Sequence, residues 1–155
     1  MNAVPLVTEI VDDPLRFAAL ADDWDALAIA RGTTLALHAW YGVAFAVQHG
    51  DRYGLQVIAI WDGDRLVAAA PLMRDGSASP ARLVPIDAFA GELDRLLYSS
   101  PAALSALFRA CAALRQPLLF RRLFSNEADL AILSSALRSR AGVFCQPPHA
   151  SAVVR

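Results

Sequence analysis

A few side chains in this chain are of a kind and spacing that could do chemistry. His38, Trp40 and Tyr41 fall within four positions, H-A-W-Y. An imidazole beside two aromatic rings is what a substrate cleft with a general base would use. The same three residues are also good core anchors, and no acidic residue adjoins His38 in sequence to orient it. Asp87 follows Pro85-Ile86 at the end of an apolar run, where α/β proteins often put functional groups; it could equally cap the next turn. Asp94 and Tyr98 flank another short run. Arg121 and Arg122 end the run Leu118–Phe120. Neighbouring strand residues point to opposite faces, so at most one of the two enters a given cleft. There a guanidinium would grip a phosphate or carboxylate through two N–H donors; a solvated or salt-bridged pair is the alternative. His149, in P-P-H-A, reads as a loop residue.

Other chemistries leave no trace. There is no G-x-S-x-G, H-E-x-x-H, C-x-x-C or G-x-G-x-x-G run. His38, His49 and His149 have no metal-ligand spacing, and neither do Cys111 and Cys145, so no metal is expected. Cys111, in A-C-A-A-L, reads as a small core residue. All 14 basic residues are Arg. Without lysine, Schiff-base catalysis and a P-loop lysine are excluded. The net charge of −1 gives no bulk field for nucleic acid. Residues 1–94 carry −7 and residues 95–155 carry +6. Two solvated faces would explain that split, and so would an anion-attracting surface in the second half. The N-terminus lacks a signal-peptide pattern. The longest apolar stretch, Leu35–Val47, is about a dozen residues, against the roughly 20 a membrane span needs. A cytoplasmic protein with no membrane partner is expected.

The elements that must position these groups can be read from pattern. Leu6–Val11 is a strand. Asp12-Asp13-Pro14 opens a helix to about Ala30 whose Phe17, Leu20, Trp24 and Leu27 share one face, with Gly32 as its stop. Thr33-Thr34 opens a second helix, about Leu37–His49, apolar nearly all round and so expected to be buried on more than one side. Tyr53–Trp61 is a strand, Asp62-Gly63 a hairpin turn and Asp64–Met73 its partner strand. Pro71 donates no ladder bond, so it should mark an edge or bulge. Arg74–Pro80 is a turn and Ala81–Ile86 a third strand. Leu93–Tyr98 is strand-like. Ser99-Ser100 caps a helix from Pro101 to about Arg115, Leu118–Arg122 is a strand, and Asn126 caps a helix from Glu127 to about Arg140. Leu130, Leu133 and Leu137 mark the apolar face of that last helix. Val143–Gln146 and Ala152–Val154 are strand-like. One α/β domain over residues 1–155 is expected, with a mixed, largely antiparallel sheet and helices on its faces; the alternating second half implies some parallel pairing.

The runs F-A-A-L-A-D-D-W-D-A-L-A, H-A-W-Y, L-Q-V-I-A-I-W-D-G-D-R-L-V-A-A-A-P-L-M and R-L-V-P-I-D resemble the opening of CelD/BcsL-type acetyltransferases. These belong to the FemAB-like branch of the GNAT superfamily, in which two GNAT-like halves sit in tandem. The resemblance covers about residues 12–124. It implies the GNAT acyl-CoA N-acyltransferase fold and a domain that shapes the acceptor cleft, for which His38, Trp40, Tyr41, Asp87, Tyr98, Arg121 and Arg122 are the candidates read from the sequence. Family members are roughly twice this length, and their second half usually carries the acyl-donor site. The Gly-rich turn that cradles a pyrophosphate at a helix N-terminus has no counterpart in this sequence.

The expectation is thus an acetyltransferase-like, acceptor-side half, with no tightly bound cofactor. Acetyl-CoA is a co-substrate only where a second half supplies its site. The alternative is a non-enzymatic module that keeps the fold and associates through an exposed strand edge, such as the C-terminal A-V-V-R, with a second GNAT-like half or with a copy of itself.

Overall fold

The computed structural model describes residues 5–33, 36–48, 52–86, 96–120, 127–138 and 142. Asp87, Asp94, Arg121, Arg122, Asn126, Cys145, His149 and the strand-like pieces 143–146 and 152–154 lie outside the described residues.

The chain opens with β1 (Val7–Val11). Asp13 then caps α1 (Pro14–Ala18), its carboxylate accepting from the Leu15 and Arg16 N–H groups. The single helix expected to Ala30 is two helices. It breaks at Ala19-Leu20 and resumes as α2 (Ala21–Ala30). Phe17, Leu20, Trp24 and Leu27 all face the core regardless, none more than 6% exposed. Gly32, at φ +64°, ends α2; its N–H bonds the Ile29 carbonyl and the Thr33 N–H bonds that of Ala28, the Schellman pattern. The backbone of Thr33 therefore closes α2 and does not open the next helix. α3 spans His38–Gln48. It is buried along one face only: Tyr41, Ala44 and Phe45 point in, while Trp40, Val43 and Val47 are 41%, 62% and 80% exposed. The expectation of burial on several sides fails because, among the described residues, nothing packs on that outer stripe.

The segment read as one hairpin is longer and more jointed than its sequence suggests. It comprises β2 (Tyr53–Leu55), β3 (Val57–Asp62), β4 (Arg65–Ala70) and β5 (Leu72–Asp75). The pairs Leu55↔Met73 and Ile58↔Ala70 lie three residues apart on each strand, so one register runs through both halves. The interruption falls at Pro71, which has no N–H to give the ladder. Its carbonyl instead accepts from Ile86 N–H at 2.8 Å. Pro71 thus marks the junction between a four-stranded sheet, β1-β3-β4-β7, and a three-stranded one, β2-β5-β6. β6 is Arg82–Pro85 and β7 is Leu97–Tyr98. All these strand pairs are antiparallel. A bridge from Leu83 to Leu118 adds the expected parallel pairing, though Leu118 forms no longer strand among the described residues.

α4 (Pro101–Ala113) starts where Ser100 Oγ accepts from Ala103 N–H, and α5 (Glu127–Leu137) packs against it. The inward side of α5 keeps Leu133 and Leu137 of the expected leucine face but not Leu130. Leu130 is 41% exposed, and Asp129, Ile132, Leu133, Ala136 and Leu137 are the less exposed residues, at helical spacing.

Strand alternation divides the core. Val57 and Ala59 pack with Phe17, Trp24 and Tyr41 under α1–α3; Ile58 and Ile60 pack with Leu107 and Cys111 of α4. Between Ile60 and Trp61 the register shifts, so that Ala68 opposes Ile60 and Leu66 opposes Trp61. The extra residue, Val67, lets Leu66 and Ala69 serve the first cluster and Val67, Ala68 and Ala70 the second. The protein is therefore mixed α/β, with antiparallel sheets and helices on the faces of the larger one.

The hairpin turns on Gly63-Asp64, between Asp62 and Arg65. Only Gly63 has positive φ, at +64°, as a type II′ turn requires of its first central residue. A Cβ there would meet nothing within 4 Å, so substitution strains the backbone without a clash. Gly63→Val should lower unfolding free energy by about 1–3 kcal/mol in urea denaturation; an unchanged midpoint would contradict the turn geometry.

Candidate functional site

Trp24 organises the first group of candidate residues. Its ring is fully buried, and its indole N–H donates to the Ala36 carbonyl at 2.9 Å, tying α2 to the chain that leads into α3. Tyr41 stands edge-on to it at 5.5 Å between centroids and His38 at 5.9 Å. Phe17 closes the group, 4.3 Å from the His38 ring. His38 Nε2 lies 2.8 Å from the Phe17 carbonyl oxygen. A carbonyl only accepts, so Nε2 carries the hydrogen and donates. The His38 ring is thus 8% exposed and engaged with backbone, and Tyr41 is fully buried. Trp40, on the opposite side of α3, faces outward. The structure therefore brings His38 and Tyr41 together around Trp24 and separates Trp40 from them.

An acidic partner for this group exists, thirteen residues before His38 in the chain. Asp25 Oδ1 accepts from the backbone N–H of His38 at 2.7 Å. A carboxylate at a helix start satisfies a donor with no intrahelical partner and complements the positive end of the dipole. Asp25 binds the backbone of His38, so it caps α3 and does not polarise the imidazole.

Tyr98 is held by different partners. Its hydroxyl donates to the Asp129 carboxylate, at 2.7 Å from Oδ1 and 2.9 Å from Oδ2. The Arg31 guanidinium lies over its ring at 4.5 Å. These three residues join the C-terminus of α2, the edge strand β7 and the first turn of α5. Burial pushes the Tyr98 phenol up, and the Asp129 carboxylate adds to that, against an opposing effect of Arg31. The phenol is therefore protonated at neutral pH and committed as a donor. Arg31 is exposed and makes no ion pair among the described residues. Its outer edge is available to a carboxylate or phosphate.

Sequence reasoning missed Arg31, Asp129 and Asp25. Asp129 could have been found as a charged residue at helical spacing with the apolar positions Ile132, Leu133 and Ala136 of α5. Arg31 and Asp25 carry no local signal, because their partners are far away in the chain.

The other charged clusters are ties between strands and turns. Arg16 meets Glu9 at 2.7 and 2.9 Å and lies over the Trp61 ring, while the Trp61 indole N–H reaches Glu9 at 2.8 Å. Arg16 holds the Glu9 carboxyl below its ordinary range. Buried Asp75 accepts from Ser77 and from Arg82, opposite it across the strand pair, and Ser77 above all lowers its pKa. Burial pushes the Cys111 thiol up to about 12, so it is inert packing. Among the described residues no His, Cys, Asp or Glu group converges as a metal site, and no helix is long and apolar enough to cross a membrane.

No family model matches the chain, and searches of curated proteins and of solved structures also return no match.

The Asp25 cap can be tested by itself. Asp25→Ala should cost about 1 kcal/mol of stability, a usual price for a lost helix cap, measured as a shift in urea midpoint at constant slope. No shift would show that the 2.7 Å contact does not close α3 in solution.

Proposed function

We propose that this chain is a GNAT-like, acceptor-side half of an acyltransferase, which takes its acyl-donor site from a second half, domain or chain. The order of elements supports the fold assignment: a strand, helices, an antiparallel meander, then helices on a further strand. In this reading Tyr98 and the Arg31 guanidinium over its ring border the acceptor cleft. Asp87, Arg121 and Arg122 remain candidates for the same cleft on their sequence positions at the ends of apolar runs. His38 and Tyr41 shape its wall from within the core.

The observation that carries the reading is the Asp25 carboxylate on the N-terminus of α3. A pyrophosphate is held in this superfamily by backbone N–H groups at a helix start. Here the His38 N–H already serves an internal anion. Elsewhere, Asp13 and Pro14 occupy the start of α1, Asp22 and Asp23 the first turn of α2, and Ser100 and Pro101 the start of α4. Asp129 falls in the first turn of α5, where its charge opposes a phosphate. The exposed stripe Trp40, Val43 and Val47 also favours a second body, since an apolar helix face is normally covered.

A second reading, a non-enzymatic module that acts by association, is favoured by a different feature. β1 lies at the edge of its sheet with apolar side chains exposed.

Calorimetric titration with acetyl-CoA tests the first reading. The chain alone should bind with Kd above about 1 mM, equivalent to less than roughly 4 kcal/mol. Micromolar binding would overturn the assignment of the donor site to another body.

A further inference from the structure

We infer that β1 is a self-pairing edge: two copies of this chain join antiparallel through β1 about a two-fold axis at Thr8, giving one continuous eight-stranded sheet. The inference rests on the association reading and is independent of any acyltransferase activity.

An edge strand presents unpaired N–H and C=O groups, and natural proteins blunt such edges with charge, proline or a bulge. Among the described residues β1 is the outermost strand of its sheet; it contains no proline and no bulge and pairs with β3 in unbroken register from Val7↔Trp61 to Val11↔Val57. Its one charge, Glu9, is turned onto Arg16 and the Trp61 indole. Leu6, Val7 and Ile10 are 37%, 56% and 38% exposed, and Thr8 is exposed as well.

The pattern of side chains selects the occupant and the register. With the axis at Thr8, Thr8 opposes Thr8 and Leu6 opposes Ile10 on one face, while Val7 opposes the neutralised Glu9 on the other. Threonine and aliphatic cross-strand pairs are favourable, and like charges directly opposite are not. An axis at Glu9 would set two carboxylates face to face and Leu6 against Asp12.

Beside β1 lies the space such a partner needs. Leu6 and Thr8 form an open depression of about 460 Å³ with Ala106, Arg109, Ala110 and Ala113 of α4. The alanines leave room for the partner's Ile10 and Thr8 side chains. Charge also matches. Two residues beyond Ile10, on the same face, the partner's Asp12 would lie past Leu6, beside the depression that Arg109 helps to line. Asp12 and Arg109 are both exposed, and neither has an ion-pair partner among the described residues. The two-fold axis makes that pair twice.

Sedimentation equilibrium on the whole chain tests this. The wild type should be a dimer. Thr8→Lys sets two ammonium groups opposite each other and should weaken the dimer by roughly tenfold or more. Its melting temperature, taken at concentrations where both proteins are monomers, should not change, because Thr8 is exposed. Asp12→Arg and Arg109→Asp should each weaken the dimer, and the double reversal should restore it. A monomeric wild type, a dimer indifferent to Thr8→Lys, or a double reversal no better than the singles would overturn the inference. A monomer sinks the self-pairing alone, whereas micromolar acetyl-CoA binding by an intact dimer sinks only the claim that the associating module is non-enzymatic and leaves the interface standing.

Discussion

Everything in this fold hangs on the long hairpin from Tyr53 to Asp75. Its register is continuous from Tyr53↔Asp75 to Ile58↔Ala70, although Pro71 interrupts the ladder and passes the chain from one sheet to the other. Both sheets are therefore built on the same two strands. The extra residue at Val67 then reverses which side chains face which helices, so that alternating residues serve two cores with no loss of pairing beyond it. Among the described residues β1 and β7 flank the larger sheet because the hairpin fills its centre.

The candidate site follows from that arrangement. The face under α1–α3 is closed by Trp24, whose rings and indole hydrogen bond draw in Phe17, His38 and Tyr41. Residues that looked chemical in sequence are absorbed into packing there. The β7 edge places Tyr98 between Arg31 and Asp129. That arrangement fixes a phenol as a donor and leaves one guanidinium exposed. Two outward guanidinium groups, Arg31 near β7 and Arg109 near β1, stand beside different strands of the same sheet.

Much of this was legible in the sequence. The Asp-Gly turn, the Asp13-Pro14 and Ser100-Pro101 helix starts, the Gly32 stop and the Phe17, Leu20, Trp24, Leu27 face rest on local patterns and stand in the structure, the hairpin loop being Gly63-Asp64. What failed depends on distant contacts. Periodicity continues smoothly through Ala19-Leu20, so the break between α1 and α2 carries no local mark. α3 is apolar all round, but burial depends on what lies beside it. The α5 leucines share a stripe, yet Asp129 sits inward because Tyr98, thirty-one residues earlier, supplies a donor. The Asp25 cap on His38 was invisible for the same reason. For Asp87, Arg121 and Arg122 the sequence reading stands as it was made, since they lie outside the described residues.

The shared hairpin makes the two sheets one cooperative unit. Native-state hydrogen exchange tests it most directly. Slowly exchanging amides of β2 and β5 should open with the same free energy as those of β3 and β4, equal to that of global unfolding. If the β2-β5-β6 amides exchange through a separate opening of markedly lower free energy while β3 and β4 keep full protection, Pro71 is a break between two independent units and the account is wrong.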